Sequence, residues 1–158
     1  MDVKTRTLEI SSPAFAPGAP IPRTCTCEGE NRSPPLSWAG APQGTRAFAL
    51  IVDDPDAPAG TWVHWIAWDI PGDATELRED VKPTDSPPTQ GISSFGKPGY
   101  GGPCPPRGHG THRYFFRLHA LDQPLGLPPT ATRAELDDAM DGHVLARAEL
   151  VGTYRRDR

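Results

Sequence analysis

No stretch of about 18 consecutive apolar residues occurs in this 158-residue sequence, so nothing in it reads as a helical membrane span. The N-terminus, MDVKTRTLEI, has no apolar signal core, and a cytoplasmic location is the default expectation. Basic charge is also short. Lys and Arg number 16 against 20 Asp and Glu, a net charge of −4, which argues against a general binder of nucleic acid or of an anionic membrane surface. Cysteine is scarce. Cys25, Cys27 and Cys104 make a poor disulfide framework, and Cys-x-Cys with no second pair is not a usual zinc spacing. Free, reduced thiols are expected, with a Cys27–Cys104 or Cys25–Cys104 bridge left open. No internal repeat or low-complexity tract divides the chain, so one domain over residues 1–158 is expected.

Glycine and proline are plentiful. Their 16 and 20 copies fall just under the roughly 25–30% share that marks disorder, so the expectation is many ordered turns. They concentrate in Gly99–Tyr114, GYGGPCPPRGHGTHRY. Neither helix nor strand suits that composition, because Pro lacks an N–H and Gly permits φ > 0. The stretch runs directly into HRYFFRLHAL, which has the character of a buried strand. A loop anchored on such a strand is expected to be ordered and to form a site, with glycine backbone N–H groups close to a ligand.

In chain order, Lys4–Ile10 reads as a first strand and Ser11–Pro35 as a long connection packed through Phe15 and Ile21. Leu36–Trp38 reads as a short strand. Ala47–Val52, AFALIV, is a run suited to burial on both faces, and Thr61–Ile70, TWVHWIAWDI, is rich in Trp and β-branched residues. These two are expected to pair, with His112–Leu121 in the same sheet. Asp73–Val81 has room for a helical turn. Thr132 and Glu135 fit a capping box that opens a helix, with Gly142 as its stop. Ala146–Tyr154 is ambiguous between helix and strand. The pattern gives a mainly β chain with peripheral helices. Among the 20 prolines a base rate of about 5–6% gives roughly one cis bond, and Pro34–Pro35 is the favoured place.

The second chemical motif is DDPDAPAGTWVHW, residues 53–65. Asp-Pro pairs make turns on their own account, and a histidine in an apolar strand is ordinarily a core residue. Together they suggest more. Asp56 lies eight residues before His64, and a tight turn between them would return the strand beside its neighbour. A carboxylate there, Asp54 or Asp56, would fix the tautomer of His64 and favour its imidazolium, leaving the other nitrogen for an anion. Cys104, between two prolines, is a candidate nucleophile near His112, but the sequence places no base within its reach.

DDPDAP followed by WVHW, and then GYGGPCPPRGHGTHRY, resemble the two signature blocks of the phosphatidylethanolamine-binding protein family, in its bacterial and archaeal Raf-kinase-inhibitor-like branch. The likeness extends through SPAFAPGAPIP, CEGENRSPPLSW and GHVLARAELVGTYRR. It implies a central antiparallel sheet with a second small sheet, and a small pocket for phosphate or a phosphorylated group. Carried over by motif, the pocket would use Asp54, Asp56 and His64, then Gly102 and Pro103, then His112 and Tyr114, with Pro58 and Trp62 as an apolar wall. The DPDAP-to-WVHW segment is shorter than in eukaryotic members, and no counterpart of their C-terminal helix is expected, which would leave a more open mouth.

The expected function is binding of a small anionic or phosphorylated ligand. An enzyme using Asp54, His64 and His112 as acid–base groups is one alternative, and an inhibitor acting on a kinase or protease is another. His64, His112 and one Asp form a two-histidine, one-carboxylate set on paper, but no metal and no cofactor are expected. A homodimer is left open.

Overall fold

The three apolar runs are strands, and burial on both faces explains their composition. A computed structural model describes residues 7–157. Its strands are β1 (Glu9–Ser11), β2 (Leu36–Ala39), β3 (Ala47–Asp54), β4 (Trp62–Pro71), β5 (Glu76–Leu77), β6 (Thr89–Gln90), β7 (His112–Leu121) and β8 (Val144–Tyr154), with one α-helix among the described residues, α1 (Arg133–Met140). They form two antiparallel sheets, β1-β2-β5 and β6-β4-β3-β7-β8. The fold is mainly β, as expected.

β3 is the centre of the larger sheet, and every residue in it is buried. Its side chains alternate between two cores, as successive residues of a strand must. Phe48, Leu50 and Val52 face the small sheet together with Trp38, Trp65 and Phe116. Ala49 and Ile51 face the other way, toward Ile66, Trp68 and the α1 residues Leu136 and Met140. The same alternation sends the adjacent carboxylates of Asp53 and Asp54 to opposite faces. Asp53 is buried and accepts from Arg117 on β7 and from Arg133 on α1. It ties the helix to the sheet and takes no part in the pocket described below.

Several expectations are corrected here. β1 begins at Glu9, and the Lys4–Arg6 part of the expected strand lies outside the described residues. Asp73–Val81 holds the two-residue strand β5 in place of a helical turn; pairing of Leu77 with Leu36 buries its side chain. Ala146–Tyr154 is strand, because ten residues of β8 pair along β7. The Thr132 capping box and the Gly142 stop are as expected: Glu135 N–H donates to Thr132, the Glu135 carboxylate answers, and Gly142 has φ +82°. The cis bonds are Ser86–Pro87 and Pro87–Pro88, not Pro34–Pro35. Two of the three cysteines are not free: Cys27 and Cys104 form a disulfide, and Cys25 is buried.

Candidate functional site

Antiparallel pairing brings the end of β3 to the start of β4 and the start of β7, with Asp54 opposite Trp62 and Asp53 opposite Phe115. Asp54, His64, His112 and Tyr114 meet there and form the polar part of a cavity of about 360 Å³. Ala57, Pro58, Trp62 and Phe95 make one apolar wall, and Cys104, Pro105 and Pro106 make the other. Trp62 and Phe95 pack edge to face with ring centroids 5.5 Å apart and form an exposed lip.

His64 reaches this cavity through a bulge. The β3–β4 register steps from Val52 opposite Trp65 to Asp53 opposite Val63, skipping His64. An extra residue in one strand re-aims its side chain. Val63 therefore packs toward the α1 side and Trp65 toward the small sheet, while the His64 ring meets Tyr114 edge-on at 5.2 Å. His64 Nδ1 donates to the Gly101 carbonyl at 2.7 Å. A carbonyl only accepts, so the proton sits on Nδ1 and the neutral ring presents Nε2 as an acceptor. Burial holds the ring below its ordinary pKa and outweighs the opposing pull of the Gly101 carbonyl and Asp54.

The carboxylate expected to hold His64 holds His112 instead. Asp54 Oδ2 accepts from His112 Nδ1 at 2.7 Å, and both side chains are almost fully buried. The other Asp54 oxygen accepts from Asp56 N–H at 2.7 Å and closes the turn after β3. His112 Nε2 lies 2.6 Å from Nδ1 of His109, an exposed loop residue. The result is a chain from Asp54 through His112 to His109. The sequence reading did not single out His109; it lies in the quoted loop three residues before His112, but nothing local sets it apart from a turn residue.

Tyr114 is 1% exposed. Its hydroxyl faces Asp54 closely enough for that carboxylate to act on its pKa, but makes no well-formed hydrogen bond to it or to any other group. Burial, with Asp54 beside it, raises the phenol pKa further, so it stays protonated and remains a donor. A buried hydroxyl without a partner costs free energy unless something fills the place.

Three expected residues stand outside the lining. Asp56 accepts two bonds from the Arg113 guanidinium, each 2.9 Å, and one from the Arg113 N–H. The guanidinium holds its carboxyl down at about 2. Gly102 and Pro103 sit behind the wall. Gly102 N–H donates to Asn31 Oδ1 at 2.8 Å, and a Cβ there would come within 2.1 Å of the Cys25 carbonyl. The Pro103 carbonyl accepts from Cys27 N–H. The disulfide joins the same two segments, so the wall hangs on residues 25–31. No Lys or Arg lines the cavity, and no cluster of metal-ligating residues occurs among the described residues.

The family model described as phosphatidylethanolamine-binding protein matches residues 11–155. The chain belongs to the phosphatidylethanolamine-binding protein family. Of curated proteins, it is 50% identical to a UPF0098 protein of Aquifex aeolicus, covering 95% of this chain and 90% of the relative. A UPF0098 protein of Methanothermobacter thermautotrophicus is 49% identical, over 94% of this chain and 99% of the relative. Among solved structures, one described as a phosphatidylethanolamine-binding protein homologue from Chlamydia trachomatis superposes with TM-score 0.89 at 39% identity, covering 96% and 99% of the two chains. YbcL of E. coli, described as a new member of the mammalian phosphatidylethanolamine-binding protein family, superposes with TM-score 0.87 at 32% identity, covering 94% and 98%. Residues 53–65 and 99–114 supply all of the cavity lining except Phe95.

Proposed function

We propose that this protein is a Raf-kinase-inhibitor-like member of its family that binds a small anionic or phosphorylated group in the Asp54–His64–His112–Tyr114 pocket. The observation that carries the reading is the Tyr114 hydroxyl, a protonated, buried donor beside Asp54 that makes no well-formed hydrogen bond, on a residue that lines the cavity. Asp54 supports it by holding His112 Nδ1–H, which fixes the orientation of that ring in the pocket wall and leaves Nε2, 2.6 Å from His109 Nδ1, as its outward nitrogen. The apolar walls would take the organic remainder of a phosphorylated ligand. For location we keep the cytoplasmic expectation as a proposal. The Cys27–Cys104 bridge weighs against it, because disulfides persist chiefly in oxidising compartments.

The proposal fixes the sign of a pH effect. The free His64 ring is neutral near neutrality and offers Nε2 as an acceptor, whereas an anion needs a donor. Either the ring takes up a proton on binding or the ligand brings one as P–O–H. In both cases the complex holds a proton that the separated partners do not, so affinity falls as pH rises. For ring protonation the fall starts at the free-ring pKa, which lies below the usual value of about 6.5, not above it as a carboxylate partner on His64 would have placed it. Thermal melts with phosphate, sulfate and phosphoethanolamine at about pH 6 and about pH 8, below and above the usual imidazole value, test this. A ligand at about 100 times its Kd stabilises by about 2.7 kcal/mol. The expected result is a larger shift at the lower pH, absent in His112→Ala. No shift with any of these anions at either pH, or a His112→Ala protein that responds like the parent, overturns the proposal.

A further inference from the structure

We propose that Cys104 is a site of reversible covalent capture: a small aliphatic thiol enters the cavity, attacks Cys104 Sγ and is held there as a mixed disulfide. The capture uses the cystine and the apolar walls, so it does not depend on the pocket taking an anion. Cys27 and Cys104 are both exposed, and solutes reach their bridge. Exposed cystines are the ones that exchange readily with outside thiols. Only one of the two cysteines lines the cavity. Cys104 does, beside Pro105 and Pro106, while Cys27 belongs to the segment behind that wall.

Access and leaving group both favour attack at Cys104. A thiolate arriving through the cavity meets Cys104 first, with Cys27 beyond it. Cys27 then leaves toward water as a hydrated thiolate. Attack at Cys27 would instead expel a Cys104 thiolate at a cavity that contains the Asp54 carboxylate, largely apolar walls and no Lys or Arg. Like charge and poor solvation raise the pKa of a thiol, and a thiol of higher pKa leaves more slowly. In the favoured step the incoming thiol gives its proton to water and its sulfur bonds to Cys104 Sγ. The Cys27–Cys104 bond breaks with its electron pair on Cys27, which takes up a proton. One disulfide replaces another, and nothing is oxidised or reduced overall.

The surroundings make the capture reversible. The wall keeps its other ties when the bridge opens. Cys27 N–H donates to the Pro103 carbonyl at 3.1 Å, Gly102 N–H to Asn31 Oδ1 at 2.8 Å, and Arg156 Nε to the Pro105 carbonyl at 2.7 Å. The freed Cys27 thiol therefore stays beside the adduct, and its return attack closes the bridge and releases the captured thiol. Cys25 does not compete, because burial keeps its thiol protonated. Across the cavity, Ala57, Pro58, Trp62 and Phe95 offer an apolar surface to an aliphatic tail.

The test mixes the oxidised full chain with mercaptoethanol for short times and stops the reaction in acid, where thiols do not exchange. Pepsin digestion and mass spectrometry then locate the adduct. The expected result is mercaptoethanol on Cys104 in several-fold excess over Cys27, and near-equal amounts on the two when the same chain is first unfolded in urea. A thiol-bearing dextran, too large for a cavity of about 360 Å³, should show no excess on Cys104 in the folded chain. An adduct found mainly on Cys27, or evenly divided in the folded chain, overturns the proposal. So does a folded chain that gives no adduct at mercaptoethanol concentrations that open the unfolded one. Dextran that favours Cys104 as strongly as mercaptoethanol does would remove the cavity from the reaction and overturn it as well.

Discussion

Replacing Cys27 and Cys104 by Ser is expected to lower the unfolding free energy by roughly 2–5 kcal/mol, and the melting temperature by on the order of 10 °C in a chain of this size. The two cysteines are 77 residues apart in sequence, and the entropy removed from the unfolded chain grows with the loop that is closed. The bridge is not alone at this join. Cys27 N–H donates to Pro103, Gly102 N–H donates to Asn31, and the Tyr100 hydroxyl donates to the Cys25 carbonyl. The serine variant should therefore fold and keep its strands, melting early. Calorimetry of the two proteins reads the difference, and equal melting temperatures would contradict it. A thiol count under denaturing, non-reducing conditions should give one, from Cys25, whose thiol burial pushes up and away from reactivity.

Asp54→Ala is expected to cost about 3–5 kcal/mol, the range for removing one partner of a buried pair. Asp54 is 3% exposed and His112 is 2% exposed. Without the carboxylate, His112 Nδ1–H is left buried with nothing to accept it, and the turn loses the bond to Asp56 N–H. Asp54→Asn separates charge from shape. An Asn carbonyl oxygen still accepts from Nδ1–H and preserves the tautomer, so its cost should fall to about 1–2 kcal/mol, the difference between a charged and a neutral acceptor. Denaturant unfolding of both variants gives the comparison. An alanine variant no less stable than the asparagine one would show that the pair does not hold the site together.

Much of this fold was legible in the chain. AFALIVDD, TWVHWIAWDI and HRYFFRLHAL are apolar runs bounded by Pro, Gly and Asp, and each is a strand of the larger sheet. The capping box at Thr132 was legible because its chemistry is local. What escaped depended on register or on distant partners. Asp53 and Asp54 are alike in sequence, and only the pleat decides that one clamps α1 and the other enters the pocket. The bulge at His64 exchanged its expected carboxylate for the Gly101 carbonyl, and no residue nearby marks a bulge. Gly102 was read as an open donor, but the packing of residues 25–31 against it claims its N–H. The cystine overturns the expectation of three reduced thiols for a similar reason: spacing alone does not say which cysteines meet across 77 residues.

Tyr114→Phe tests the central claim most directly, because the account gives stability and binding opposite signs. The hydroxyl is buried and makes no well-formed hydrogen bond, so removing it should leave the unliganded melting temperature little changed or raised. In the complex the same hydroxyl donates to the anion, so phosphate affinity measured by titration calorimetry should fall by about tenfold, roughly 1.4 kcal/mol. A variant that melts at or above the parent and binds phosphate about ten times more weakly is the predicted result. A variant that binds phosphate as tightly as the parent, or that loses stability without ligand, would contradict the account.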